Sequence, residues 1–94
     1  LWNTLEYYYM DGCGHCVDFN NSGVWDQIAE NNWSNTTVHK YNMKDQNERV
    51  KKFKITGFPS IVMVDISGDD HVVLANFNGE RTYSKIEQFI NKFT

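Results

Sequence analysis

The chain has 94 residues, of which 40% are hydrophobic and 15% aromatic, and its formal net charge is −3 at pH 7. This length suits one domain with a modest core of large rings, and we expect a single domain over residues 1–94. Nucleic acid is not expected as a partner, because phosphate binding needs a basic stripe that this sequence lacks. No apolar run approaches the roughly 18 residues that a membrane-spanning helix needs. Because the chain begins at Leu1 and not at methionine, we expect a processed product or a fragment.

The first half of the chain predicts a strand, an interrupted helix and a second strand. Residues 5–10 are rich in aromatic strand formers, and Asp11-Gly12 ends that strand. Helical spacing of apolar residues then runs from 17 to 31. Residues 20–23, Asn-Asn-Ser-Gly, interrupt this spacing, so we expect a kink or two helical pieces. The second strand is predicted over residues 37–42.

A short helix and a hairpin are predicted next. Asp45, with Glu48 three residues later, is expected to cap the helix. Residues 60–65 are a nearly continuous apolar run, which is typical of a strand buried on both faces. Residues 72–77 are predicted to return beside it, after a turn.

The last helix is predicted from a capping-box pattern at Ser84 and Glu87. Its buried face is expected to hold residues at i, i+3, i+4 and i+7 spacing, namely Ile86, Phe89, Ile90 and Phe93. The resulting order is βαβαββα, an α/β pattern. It predicts a parallel first βαβ unit and a final hairpin that extends the same sheet.

Both cysteines lie in Cys13-Gly14-His15-Cys16, between the first strand and the first helix. A helix N-terminus presents unpaired N–H groups and a positive partial charge, which stabilise a thiolate, the attacking species. We expect Cys13 at the exposed end to attack a substrate disulfide and Cys16 behind it to resolve the mixed disulfide. A partly positive His15 near the sulfur would favour the thiolate further.

The alternative for two cysteines is a metal or haem site. A structural zinc site needs two more ligands, and His39 and His71 lack paired spacing. Attachment of a c-type haem needs a histidine after the second cysteine, where this chain has Val17. We therefore favour redox chemistry, and expect neither a metal nor another cofactor.

Taken in order, the motifs resemble the thioredoxin superfamily, and within it the catalytic domains of protein disulfide isomerase. Cys13-Gly14-His15-Cys16 is the isomerase-type motif, and Gly57-Phe58-Pro59-Ser60 matches the loop that carries the family's cis-proline opposite the dithiol. Residues 77–82 and the helix after them resemble the isomerase's closing elements. The resemblance covers essentially the whole chain. It implies a minimal thioredoxin fold, with a mixed four-stranded sheet flanked by helices.

The resemblance also implies an activity and site roles. It implies an enzyme that forms or isomerises protein disulfides through Cys13 and Cys16. It implies a cis bond before Pro59, although most turn prolines are trans, and it implies that the backbone at Phe58 meets an extended substrate segment. Arg81, otherwise a solvated loop charge, is implied to approach the inner cysteine and favour its ionisation during resolution.

The chain departs from the family pattern beside the first cysteine. Gly12 stands where members usually have tryptophan, so we expect the substrate-binding surface at Gly12 to differ. Members usually have a buried acid six residues before that cysteine, where this chain has Tyr7, with Glu6 one place off. Alternation puts these two side chains on opposite faces. Strict counting favours Tyr7 beneath the dithiol, whereas a one-residue bulge would favour Glu6.

The expected partners are proteins that carry thiols or disulfides, together with a redox partner such as glutathione, a reductase or a sulfhydryl oxidase. We expect a monomer, and the resemblance favours an oxidising compartment such as the endoplasmic reticulum lumen. Two alternatives stay open. One is a thioredoxin-like reductant with the same fold, and the other is a peptide-binding module in which redox activity is secondary.

Overall fold

The computed structural model describes residues 2–94, so Leu1, where the expected domain begins, lies outside the described residues. The elements in chain order are β1 (Asn3–Tyr9), α1 (Gly14–Ser22), α2 (Val24–Glu30), β2 (Thr36–Asn42), α3 (Asn47–Lys52), β3 (Ser60–Asp65), β4 (Val72–Asn76) and α4 (Tyr83–Asn91). A 3-10 turn, Met43–Asp45, precedes α3. This order confirms the predicted βαβαββα pattern, with the first helical segment in two pieces.

The four strands form one mixed sheet in the order β2-β1-β3-β4. β1 runs parallel to β2 and antiparallel to β3, and β4 is antiparallel to β3. Pairing between β1 and β2 is continuous from Asn3 with Thr36 to Tyr9 with Asn42. β1 therefore lies inside the sheet, and its register has no bulge that would exchange the faces of its side chains.

Each face of the sheet is covered by helices. On one face, buried side chains of α1, α2 and α4 pack against β1 and β3, namely Leu5, Tyr7, Phe19, Trp25, Ile28, Ile61, Met63, Ile86, Phe89 and Ile90. On the other face, α3 contributes Val50 to a smaller cluster with Tyr8, Val62 and Val64. Because β1 and β3 contribute to both clusters, their near-continuous apolar runs follow from burial on two sides.

The break between α1 and α2 falls at Gly23, which confirms the predicted interruption. Gly23 has a φ of 77° and serves as the C-cap of α1 and the N-cap of α2. A residue with a Cβ rarely adopts this left-handed conformation, so glycine suits the position. The Ser22 hydroxyl donates to the carbonyl of Phe19 and accepts from the N–H of Val24, which closes the junction.

The two predicted helix caps are wrong. Asp45 is the last residue of the 3-10 turn and does not cap α3. The turn itself is capped by Asn42, whose side chain accepts from the N–H of Lys44. α3 begins after Gln46, which makes no side-chain cap. The last helix is capped by Thr82, whose hydroxyl accepts from the N–H of Lys85 at 3.3 Å, and not by Ser84. Within residues 2–94, no helix is long and apolar enough to cross a membrane.

Candidate active site

Cys13 is the N-cap residue of α1, directly after the loop that leaves β1. Its sulfur accepts a hydrogen bond from the N–H of Cys16 at 3.2 Å, and its carbonyl accepts from the N–H of Val17 at 3.0 Å. One backbone donor at the helix N-terminus is therefore aimed at the sulfur. This arrangement stabilises negative charge on that sulfur.

Cys16 lies one turn into α1 and is closed off from solvent, with 1% of its surface exposed, whereas Cys13 is partly exposed. Burial, together with the hydrogen bond between its thiol and Cys13, raises the pKa of Cys16 to about 11, and the positive charge of Arg81 acts in the opposite direction. The two thiols thus have the unequal exposure that the predicted division of roles requires.

The loop before β3 brings Phe58 and Pro59 to the dithiol. The peptide bond between them is cis, and the thiol of Cys13 donates to the carbonyl oxygen of Phe58 at 3.5 Å. These residues are 45 positions apart in the chain. The backbone of the proline loop therefore faces the reactive sulfur directly.

An open groove of 510 Å³ continues from this loop. Its lining is mostly polar and comes from the 54–59 loop, the start of β3, the end of β4 and the segment after β4. The lining residues are Lys54, Ile55, Thr56, Gly57, Phe58, Pro59, Ser60, Ile61, Asn76, Phe77, Asn78, Gly79 and Arg81. The structure thus places three residues predicted from the sequence, Phe58, Pro59 and Arg81, along one depression beside Cys13.

Gly12 and His15 flank the cysteine motif at the surface. Gly12 is exposed, has a φ of 77°, and has open space around the direction of a Cβ. A bulky L-residue there would be strained by the backbone, although not by its neighbours. His15 is exposed on the first turn of α1 and lines a shallow hollow with Asp18, Phe19, Ser22, Glu80 and Arg81. The roles predicted for Gly12, His15 and Arg81 remain predictions.

Tyr7 lies on the dithiol side of the sheet, as strict alternation predicts. It is fully buried, its ring meets that of Phe19 edge-on at 5.0 Å, and its hydroxyl donates to Oδ1 of Asn20 at 2.8 Å. Burial raises the pKa of the Tyr7 hydroxyl, and negative charge on Cys16 or Cys13 raises it further. The phenol beneath the dithiol therefore stays protonated at neutral pH.

Glu6 faces the opposite way and is sequestered there. Its carboxylate accepts from the hydroxyls of Thr4 and Tyr8 and from Nε and Nη2 of Arg49 in α3. Arg49 also lies 3.0 Å from Nδ1 of His71. Glu6, which is fully buried beneath α3, is thus separated from the dithiol by the sheet.

Three side chains that shape this region are not predicted by the sequence patterns, namely Asn20, Lys40 and Arg49. Lys40 is directly opposite Tyr7 in the parallel register, and its Nζ is 6.0 Å from the Tyr7 ring centroid and 5.2 Å from that of Tyr9. Aligning the two predicted strands by their apolar residues could have suggested Lys40. Nothing local in the sequence pairs Tyr7 with Asn20 or Glu6 with Arg49. Within residues 2–94, no group of three or more histidine, cysteine or acidic side chains is placed to hold a metal ion.

Comparison with known proteins finds a family model that covers nearly the whole chain. The family model described as Thioredoxin matches residues 3–92. Protein disulfide-isomerase 1 of Caenorhabditis elegans is 28% identical over 86 residues, which are 92% of this chain and 17% of that protein. The chain therefore spans about a sixth of the length of this curated relative.

Solved structures agree in fold. The J-Trx1 fragment of ERdj5 superposes with a TM-score of 0.74 at 21% identity, over 97% of this chain and 42% of that fragment. The first thioredoxin domain of mouse protein disulfide-isomerase A4 superposes with a TM-score of 0.71 at 22% identity, over 96% of this chain and 61% of that one. At this identity the likeness concerns the fold.

Proposed function

The chain belongs to the thioredoxin family, and we propose that it is a thiol–disulfide oxidoreductase that oxidises thiols to disulfides, or isomerises disulfides, in other proteins. The observation that carries the proposal is the position of the Cys13 sulfur. It lies at the N-terminus of α1, accepts the N–H of Cys16 at 3.2 Å, and faces the carbonyl of Phe58 at 3.5 Å. A partly exposed, stabilised sulfur beside an open backbone segment is suited to attack a disulfide in an extended chain.

The chemistry proceeds in two exchanges. The thiolate of Cys13 attacks one sulfur of a disulfide, forms a mixed disulfide and releases the other sulfur as a thiolate. Cys16 then attacks the Cys13 sulfur, so that a Cys13–Cys16 disulfide forms and the second sulfur leaves. The reverse sequence oxidises a substrate dithiol. Only the half-buried first sulfur can meet a protein substrate, because Cys16 is enclosed.

We propose that the substrate segment lies in the groove beside the proline loop. The groove presents the backbone of Phe58 and Pro59 on the side of Cys13 and the cations Lys54 and Arg81 on its rim. Its polar lining suits main-chain hydrogen bonds to an extended segment, which depend little on the side chains of the substrate. This site fits a range of protein disulfides better than one small molecule.

The direction of electron flow is proposed from His15. A histidine within the motif favours the thiolate and therefore the reduced form, which makes the disulfide form a better oxidant. We propose a reduction potential between about −270 mV, typical of thioredoxin, and about −180 mV, typical of protein disulfide isomerase. Such a potential would suit an oxidising compartment, with glutathione, a reductase or a sulfhydryl oxidase as the redox partner.

The test uses two single variants and one double variant. Cys16→Ser should accumulate mixed disulfides with a reducible protein substrate, whereas Cys13→Ser should form none, as read on non-reducing gels and by mass spectrometry. Equal trapping by both variants would contradict the assignment. The double serine variant is the control, because substrate binding and function that survive in it would indicate a peptide-binding module.

The potential is measured separately. Equilibration of the wild-type chain with glutathione buffers at pH 7 should give an intermediate value, and His15→Pro should lower it. A wild-type potential at or below that of thioredoxin would support the reductant alternative.

A further inference from the structure

The resolving thiol, Cys16, is buried, and its proton needs an acceptor. Cys16 must become a thiolate before it attacks the mixed disulfide, since the thiol itself is a poor nucleophile. Its residue is 1% exposed, so water does not reach it freely in this conformation. The proton therefore needs an acceptor among the neighbouring side chains, or it must wait for solvent to enter.

The charged and titratable side chains around Cys16 come from four segments. Cys13 at the N-cap of α1, Arg81 in the 77–82 loop and Tyr7 on β1 act on Cys16 directly. Tyr9 on β1 and Lys40 on β2 contact the Tyr7 ring, and His15, Asp18 and Glu80 line the outer hollow together with Arg81. Lys40 and Arg81 carry donor groups only and offer no acceptor. The sulfur of Cys13 is bonded to the substrate at this stage, and is unavailable.

The remaining groups face elsewhere. The Tyr7 hydroxyl donates to Asn20, and burial raises its pKa, so it acts as a donor and not as a base. His15, Asp18 and Glu80 are exposed and line the outer hollow, and His15 is about 100° around the helix from Cys16. Glu6, a buried carboxylate of β1, is on the opposite face of the sheet and saturated with hydrogen bonds.

We propose that this chain holds its substrates in a long-lived mixed disulfide on Cys13 at neutral pH, because among the described residues, 2–94, no side chain beside Cys16 can accept its proton. The inference rests on the proposed oxidoreductase function and specifies its slow step. In that step the proton of Cys16 goes to solvent, the Cys16 sulfur bonds to Cys13, and the substrate sulfur leaves with the electron pair. Slow release therefore suits substrates that stay covalently bound to Cys13 for a long time, and not substrates that are reduced and released quickly.

The expected signature is a steep dependence of release on pH. Burial raises the pKa of the Cys16 thiol, and this cause persists when Cys13 is bonded to the substrate, so the thiolate fraction of Cys16 is small at neutral pH. Well below a thiol's pKa that fraction rises about tenfold for each pH unit, so release at pH 9 should be about one hundred times faster than at pH 7.

The test follows single turnovers of the reduced chain with excess glutathione disulfide. Attack by Cys13 gives one glutathione adduct and one glutathione thiolate; resolution gives the Cys13–Cys16 disulfide and a second glutathione. Acid quenching and mass spectrometry count the reduced, adduct and disulfide forms between pH 6 and 9. Cys16→Ser stops at the adduct, so it reports how the first step alone depends on pH. In the wild type, the glutathione adduct should accumulate at pH 7. The rate constant for its decay should increase steeply as the pH rises.

Two substitutions of Tyr7 sharpen the result. Tyr7→Glu places a carboxylate beneath Cys16, and should speed release at pH 7 at least about tenfold and flatten its pH dependence. Tyr7→Phe removes only the hydroxyl, and should leave release within about twofold of the wild type. If Tyr7→Glu does not fold, the wild-type profile and Tyr7→Phe still decide.

Several outcomes would overturn the inference. An adduct that builds up in Cys16→Ser but not in the wild type at pH 7, or release that is independent of pH, would refute slow resolution while the proposed function stands. A tenfold slowing in Tyr7→Phe would identify the phenol as the missing acceptor, and so also refute it. Absence of an adduct even in Cys16→Ser would refute the proposed function and the inference together.

Discussion

Two adjacent residues of β1, Glu6 and Tyr7, are buried completely on opposite faces of the sheet, and their surroundings differ sharply. On the α3 face, a carboxylate is held by one cation and two hydroxyls. On the dithiol face, a neutral phenol makes one hydrogen bond to Asn20 among aromatic rings. The same strand therefore places an ion pair on the α3 face, whereas on the dithiol face the part of the chain that the structure describes has no buried charged residue.

The difference shows how charge can be separated from a redox site. A carboxylate in contact with Cys16 would accept its proton, whereas the same carboxylate one position away is screened by the sheet and neutralised by Arg49. Because side chains alternate along a strand, a shift of one residue in sequence decides which face of the sheet receives the carboxylate. The following predictions test whether the two faces are as independent as the contacts indicate.

The largest effect is expected from Arg49→Met, which leaves the buried Glu6 carboxylate without its cation. Removing one partner of a buried ion pair costs about 3–5 kcal/mol, so the free energy of unfolding in urea should fall by that amount. Lys52→Met is the matched control, because Lys52 lies on the same helix but pairs with Asp70 at the surface, and it should change little. Replacing both partners, Glu6→Leu with Arg49→Met, should recover most of the loss. Equal destabilisation by the single and double variants would contradict the ion-pair account.

The pH dependence of stability should reverse sign when Arg49 is removed. Burial alone would raise the pKa of Glu6, but hydrogen bonds from Arg49, Thr4 and Tyr8 together lower it below its ordinary value. A lowered folded-state pKa gives stability that is present above the unfolded value, about 4.3 for glutamate, and is lost as the pH falls through the folded pKa. In Arg49→Met burial dominates, so the variant should gain stability relative to wild type between pH 7 and pH 5.

Urea unfolding at several pH values measures this reversal directly. The acid loss in the wild type should be smaller than the loss caused by Arg49→Met, because a protonated Glu6 keeps its contacts with Thr4 and Tyr8. Parallel stability curves for the two proteins would show that Glu6 is not the titrating group.

The neighbouring tyrosines give a paired comparison of the two faces. Tyr8→Phe removes a hydrogen bond to a carboxylate and should cost about 1.5–3 kcal/mol, because hydrogen bonds to charged groups are the stronger class. Tyr7→Phe removes a bond between neutral groups and should cost about 0.5–1.5 kcal/mol. Both rings are fully buried, so the change in apolar burial is matched. A larger loss for Tyr7→Phe would mean that the dithiol face depends on a polar contact more than the α3 face does.

The parts that the sequence predicts are those with a short-range cause. The alternation along β1 puts Tyr7 beneath the dithiol, the run 60–65 gives the bounds of β3, and Gly23 divides the first helix, because each signal is contained in a few adjacent residues. The cap predictions failed because several polar residues lie at each helix start: α4 begins at Tyr83, so the extended Thr82 before it is the cap, and Ser84 is already inside the helix.

Long-range pairing is the part that the sequence does not contain in readable form. Arg49 lies 43 residues from Glu6, and Phe58 lies 45 residues from Cys13. Either pair becomes visible only when the strands are aligned and α3 is docked. At the dithiol, the resemblance to a family predicts the pairing, because the proline loop is one of the family's motifs. No such motif predicts the ion pair between Glu6 and Arg49.

The smallest effect is expected from Lys40, the one cation that contacts the rings of the dithiol face in the part of the chain that the structure describes. Its Nζ is 5.2 Å from the Tyr9 centroid and 6.0 Å from that of Tyr7, on the exposed edge strand β2. An exposed cation–π contact contributes about 0.5–1 kcal/mol, so Lys40→Met should lower the free energy of unfolding by roughly that amount and Lys40→Arg should retain it. A loss as large as that of Arg49→Met would mean that a second essential charge supports the dithiol face, and the contrast between the two sides of β1 would no longer hold.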